Sequence, residues 1–242
     1  MKSFLFSAAL LLAAAPAARA QMSPDLIMET YNSNIQVITN GIINKDMMDK
    51  TVRNYNARGG SRGAAAPSRT ATASRTSFTY VPTAAATQEV LKNQSAGKPA
   101  AAAQQFAAAF GPGGQADYQA MYRKALAGSG LRDNDVADAF AAYLVAGYQV
   151  AHGVGGTLLP AGPAAAVRAQ FAPATGRVLA GKPAAMVAAI GEYFKLQTAL
   201  LYVGSQGNSS AAYRQGVART LNQRLHLDVT AMTLTSQGLV KK

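Results

Sequence analysis

The sequence predicts an all-α fold, an Ala-rich multi-helix bundle that forms a single domain over residues 77–242. Three observations point there. Fifty-two of the 242 residues are Ala, the residue that loses least on entering a helix. From residue 83 onward the chain falls into helix-length segments cut by Gly and Pro. Within one of them, Val136, Phe140, Tyr143, Leu144, Gly147, Tyr148 and Ala151 recur at three- and four-residue steps, the stripe of an amphipathic helix.

The elements follow in order. Residues 1–20, MKSFLFSAALLLAAAPAARA, place Lys2 before an apolar run from Phe4 to Ala15, then Pro16 and small residues at Ala18 and Ala20. That is the layout of a cleavable signal peptide. Twelve residues of helix reach roughly 18 Å, short of the ~30 Å hydrocarbon layer, so export with cleavage after Ala20 is expected rather than anchoring. Residues 21–55 carry Ile35, Ile38, Ile42, Met48, Val52 and Tyr55 at near-helical spacing and read as an N-terminal amphipathic segment, with a strand around Ile35–Thr39 as the competing reading. Residues 56–76 hold almost no large apolar side chain, so nothing there offsets the entropy of ordering the backbone, and they read as a flexible basic linker.

The domain opens with Ser77-Phe78-Thr79-Tyr80-Val81-Pro82, an extended strap that Pro82 stops. Helices are expected near Thr83–Ala96, Pro99–Phe110, Gly114–Ala127, Asp133–His152, Pro163–Phe171, Pro183–Val203 and Ser209–Leu225, with Gly176 among the breakers between them. Asp133, Asp135 and Asp138 crowd the start of the fourth, where carboxylates suit the positive end of the helix dipole.

The order Phe78-x-Tyr80-x-Pro82, then Gly130-Leu131-x-x-Asn134-Asp135-Val136-Ala137-Asp138-Ala139 with Tyr143, and the tail Asp228-Val229-x-x-Met232-x-Leu234-Thr235-x-x-Gly238-Leu239, resembles a family of exported bacterial proteins classed as a domain of unknown function. The resemblance covers roughly residues 78–239. It implies a helical exported domain and supplies no catalytic residue, cofactor or partner.

The chemistry available is narrow. Without Cys there is no disulfide framework, thiolate metal site or cysteine nucleophile. Two His, 74 residues apart, give no zinc pattern. His152 reads as a helix C-terminal residue and His226, between Leu225 and Leu227, as packed or half-exposed. Ser95-Ala96-Gly97-Lys98 lacks the companion motifs of a Ser-x-x-Lys enzyme and reads as a helix end. Asp133-Asn134-Asp135 departs from a calcium loop at its sixth and twelfth positions. The glycine run 153–156 lacks the lysine of a phosphate loop. Glu89, Glu192 and the Asp133/Asp135/Asp138 group read as exposed helix-face acids. A hydrolase acting on cell-wall material would instead need Glu192 or the Asp135/Asp138 pair in a cleft. The tyrosines read as core residues with hydroxyls at the edge. No enzyme activity, cofactor or metal is expected.

Charge remains. Twenty-three Lys and Arg oppose eleven Asp and Glu, a net +12, and no acid lies between Asp49 and Glu89. Arg53, Arg58, Arg62, Arg69 and Arg75 are therefore the anion-contact candidates, toward lipid head groups, lipopolysaccharide, anionic wall polymers or, non-specifically, nucleic acid. The spread of these five over 23 positions rather than in a cluster favours a solubilising tether over a specific contact. The functional expectation is a soluble periplasmic or extracellular module that binds or scaffolds without catalysis. A protein–protein module working through residues 24–55 is the further alternative.

Overall fold

The computed structural model describes residues 78–207 and 210–242. The signal peptide, the N-terminal segment, the linker and all five arginine candidates lie outside the described residues.

Seven helices follow the strap: α1 (Ala84–Gln94), α2 (Ala100–Phe110), α3 (Tyr118–Leu126), α4 (Val136–Ala151), α5 (Ala161–Leu179), α6 (Ala184–Gly207) and α7 (Ala211–Leu225). Four of the starts are set by side-chain caps. Thr83 accepts from the Ala86 amide, Asp117 from Gln119 and Ala120, Asp135 from Asp138, and Ser210 from Tyr213. Each satisfies an amide that the first turn leaves without a helical partner. Asp117 explains why α3 begins four residues later than the spacing predicts. Asp135, rather than Asp133, caps α4.

Helices α4 and α6 form the centre. Every residue from Val136 to Gly147 and from Ile190 to Tyr202 is buried, so both helices are enclosed on all sides. The alanines of α4 (Ala137, Ala141, Ala142, Ala146) let its neighbours approach. Phe140 packs on Phe171 of α5 and Phe194 of α6 at centroid distances of 5.8 and 4.9 Å, a separation that suits aromatic pairs.

Two segments depart from the sequence reading. Helix α5 does not stop at Phe171; it runs through Pro173 and Gly176 to Leu179. Pro173 removes one amide donor, but it is exposed, as is Ala169 one turn before it, so water can satisfy the freed carbonyl. Burial of Ala174, Thr175 and Leu179 carries the helix onward. Gly176 serves packing: a Cβ there would lie 3.2 Å from the Phe78 ring.

The chain end is the second departure. A short 3-10 turn (Val229–Ala231) leads into a β-hairpin, β1 (Met232–Thr235) and β2 (Gly238–Lys241), paired antiparallel with Leu234 opposite Leu239. The hairpin is held on α5 by the buried Gln170 side chain, which donates to the Leu239 carbonyl at 3.0 Å and accepts from its amide at 2.9 Å. Gln170 thus replaces the strand neighbour that β2 lacks.

Candidate functional site

The strap fixes the geometry of the polar interior. Phe78 to Tyr80 run extended against the loop before α4, with the Tyr80 amide on the Asn134 carbonyl and the Val136 amide on the Phe78 carbonyl, both at 3.0 Å. Tyr80 then lies over Gly191 of α6, where a Cβ would come within 2.2 Å of its ring. That close approach brings the Tyr80 hydroxyl to Glu192, to which it donates at 2.8 Å.

Glu192 is fully buried and collects three further donors, two from α3 and one from its own helix. Tyr118 of α3 donates at 2.5 Å and the Gln119 amide at 2.9 Å. The Lys195 ammonium, one turn along α6 and only 2% exposed, lies 3.0 Å away. Lys195 in turn donates to Asn134 at 2.7 Å and pairs with Asp133 at 2.9 Å, with the Tyr80 and Tyr122 rings 5.3 and 5.6 Å from its nitrogen. Burial alone would raise the Glu192 pKa, but hydrogen bonds from Tyr118 and Tyr80 and the charge of Lys195 hold it below the ordinary carboxylate value. Burial and the Glu192 charge together push the Tyr80 and Tyr118 hydroxyls well up.

A second cluster adjoins the first through the Asp133–Asp135 loop. Asp135 caps α4 and takes Arg132 Nη2 at 2.5 Å. Asp138 takes the Arg132 amide and Nε, each at 2.9 Å, and also Arg168 of α5. Both carboxylates are essentially inaccessible. Burial raises the Asp135 pKa and the Asp138 charge adds to it, against the capping amide and Arg132.

The expectation of exposed helix-face acids therefore fails for Glu192, Asp135 and Asp138. Glu89 is exposed and Asp133 half-buried. The three inward acids can be buried because each has a cation and neutral donors within reach, the condition under which a charge survives inside a protein. A signal for this was present: Glu192 and Lys195 form an i, i+3 pair of opposite charge, neighbours on one face of α6, in a stretch otherwise rich in apolar residues.

The remaining candidates keep modest roles. His152 caps α4, stacks on Tyr148 at 4.2 Å and places Nε2 3.0 Å from the Val229 carbonyl. His226 is exposed, not packed; it ends α7 at φ 50°, and that left-handed turn swings its ring away from the buried Leu225 and Leu227. Ser95 is the C-cap of α1, as its motif suggested. Tyr118, Tyr122, Tyr143, Tyr193, Tyr202 and Tyr213 are core residues. The Tyr122 and Tyr193 hydroxyls are buried without a hydrogen-bond partner. Among the described residues, no group of three or more His, Asp or Glu is placed to hold a metal ion.

Two of the clefts in the described surface bear on the site. One, of about 940 Å³, lies between the strap and the α5–α6 turn, lined by Phe78, Tyr80, Val81, Leu179, Ala185 and Val187 among others. The other, of about 390 Å³, lies beside the glycine loop and is lined in part by Gly153, Gly156, Thr157, Tyr213 and Arg214. Neither is lined by Glu192, Asp135 or Asp138.

Compared with known proteins, residues 1–183 match a family of unknown function, DUF6683. The match takes in the segments set apart above as signal, N-terminal segment and linker, and it stops before α6. No curated protein and no solved structure matches.

Proposed function

The chain belongs to this family of unknown function, so its role is read from its own residues, and we propose that it is an exported, non-catalytic binding or scaffolding module of the cell envelope or its surroundings, drawn to anionic partners by its charge. One observation carries the reading. From residue 78 onward there are fourteen Lys and Arg against seven Asp and Glu, and four of those seven acids (Asp133, Asp135, Asp138 and Glu192) are drawn into internal ion clusters. Asp117 and Asp228 are committed to capping. Lys92, Lys124, Arg177, Lys182, Arg219 and Lys241 stay exposed. Asp135, Asp138 and Glu192 are buried, Glu89 and Asp228 stay exposed, and the exposed side chains together carry net positive charge, the distribution that attracts polyanions.

The same clusters weigh against a wall hydrolase. A general acid needs a raised pKa and contact with substrate; Glu192 has a lowered pKa and no exposed surface. Asp135 and Asp138 are held by Arg132, Arg168 and the α4 amide. Export rests on the three-part pattern of residues 1–20. Among the described residues, no helix is long and apolar enough to cross a membrane.

The basic linker and its entrance add to this charge as the main anionic-surface contact, through Arg53 just before the linker and Arg58, Arg62, Arg69 and Arg75 within it. Changing these five to Gln should remove most of the binding to an anionic wall polymer or to anionic vesicles; affinity retained within about twofold would reject the linker as the contact.

A further inference from the structure

The cleft beside the strap is an apolar surface with no described side chain over it. Val81, on its wall, is 79% exposed, the most exposed large apolar side chain among the described residues. Its other side is built from the small residues Ala184, Ala185 and Ala188, with Lys182 at the turn. Apolar surface left wet in this way costs roughly 25 cal/mol per Å² relative to covering it.

Three facts say what covers it. The first is place: the 77 residues that precede the described fold join it at Phe78, on the wall of this cleft. A 21-residue linker has an r.m.s. span of roughly 25 Å if flexible, enough to bring the segment before it back to the cleft. The second is sequence. Met48, Val52 and Tyr55 stand at i, i+4 and i+7 immediately before the linker, one stripe if helical. Charge adds one contact: residues 46–55 hold Asp46 and Asp49 against Lys50 and Arg53, and the only charged residue among the described ones lining the cleft is Lys182, a partner for Asp49. The third is the family match over residues 1–183, which takes in this segment together with the strap and the α5 side of the cleft, but not its α6 side.

We propose that Met48, Val52 and Tyr55 of the same chain seat in the cleft between the strap and the α5–α6 turn, with Asp49 beside Lys182. The linker is then tied at both ends, and Arg58, Arg62, Arg69 and Arg75 are displayed on a closed loop.

Amide hydrogen exchange of the intact chain at low concentration tests this. Residues 46–55 should exchange at least about tenfold more slowly than an unstructured segment. Ala185→Glu, at an exposed cleft position, and separately Val52→Asp, outside the described fold, should each restore exchange to within about twofold of the unstructured rate. Unchanged protection in α4 and α6 shows that the domain itself is intact in both variants. Unstructured exchange in the unaltered chain overturns the proposal. So does protection that survives both substitutions. Protection that appears only as the chain dimerises would assign the cleft to a second copy instead.

Discussion

Replacing Glu192 by Gln keeps the shape of the side chain and removes its charge. In the folded protein this carboxylate accepts from Tyr80, Tyr118 and Gln119 and pairs with Lys195. A carboxamide keeps one acceptor oxygen and turns an NH2 toward donors, so at least one of the tyrosine and Gln119 donors loses its partner. Hydrogen bonds to a charged group contribute about 1.5–3 kcal/mol each, and breaking a buried ion pair costs about 3–5 kcal/mol. Lys195 retains Asp133 and Asn134, which lowers the second figure. A loss of about 3 kcal/mol follows, or roughly 6–12 °C in Tm for a domain of this size. Urea unfolding followed by far-UV circular dichroism measures it.

The pH dependence has a definite sign. Because the folded pKa of Glu192 lies below its unfolded value, its contribution is fully present above the ordinary carboxylate range, near pH 4.3. It is lost as the pH falls through the lower folded value. The gap between the parent and Glu192→Gln should therefore narrow below about pH 4. A loss under about 1 kcal/mol at neutral pH, or a gap that does not narrow in acid, would refute the view that this network holds the strap, α3 and α6 together.

Tyr122→Phe removes a buried hydroxyl with no hydrogen-bond partner and should leave stability unchanged or raise it by up to about 1 kcal/mol, whereas Tyr118→Phe should lower it by about 1.5–3 kcal/mol; equal effects in thermal melts would contradict the assigned bonding. Gly191→Ala drives a methyl group into the Tyr80 ring and should cost about 1–3 kcal/mol, with faster exchange of the Tyr80 amide as the diagnostic sign. Pro173→Ala restores a helix donor in the exposed middle of α5 and should stabilise by about 1–3 kcal/mol; no gain would mean that α5 is already distorted at that point for another reason.

Helices were legible where the apolar period and the punctuation agreed, as in α4, whose stripe and acid-rich start both appear in the sequence. The same reading ended α5 too early, at Phe171, with Gly176 counted among the breakers; Pro173 and Gly176 both lie inside the helix. Their tolerance depends on an exposed carbonyl at Ala169 and on a ring, Phe78, nearly a hundred residues away. The hairpin was missed because its two short strands have little alternation of their own and take shape against Gln170 of α5. Pro82 and the brief alternation before it did mark the strap. What sequence spacing could not show was that Tyr80, Tyr118 and Lys195 converge on Glu192, a meeting of three distant segments. Reading single acids by their average exposure placed Glu192, Asp135 and Asp138 outside, although cations nearby in sequence, Lys195 and Arg132, were the sign that they could be paired within.

With Asp135, Asp138 and Glu192 buried against cations, the exposed surface of the domain is net positive, and attraction to anionic partners follows from it under the function proposed above. A salt titration of binding by residues 21–242 to an anionic wall polymer, with duplex DNA alongside, tests it most directly. Binding is expected at low salt, with an affinity that falls linearly in log–log form and a slope set by the number of cations engaged. No binding to any polyanion at low salt would contradict it and leave the surface charge as a means of staying in solution.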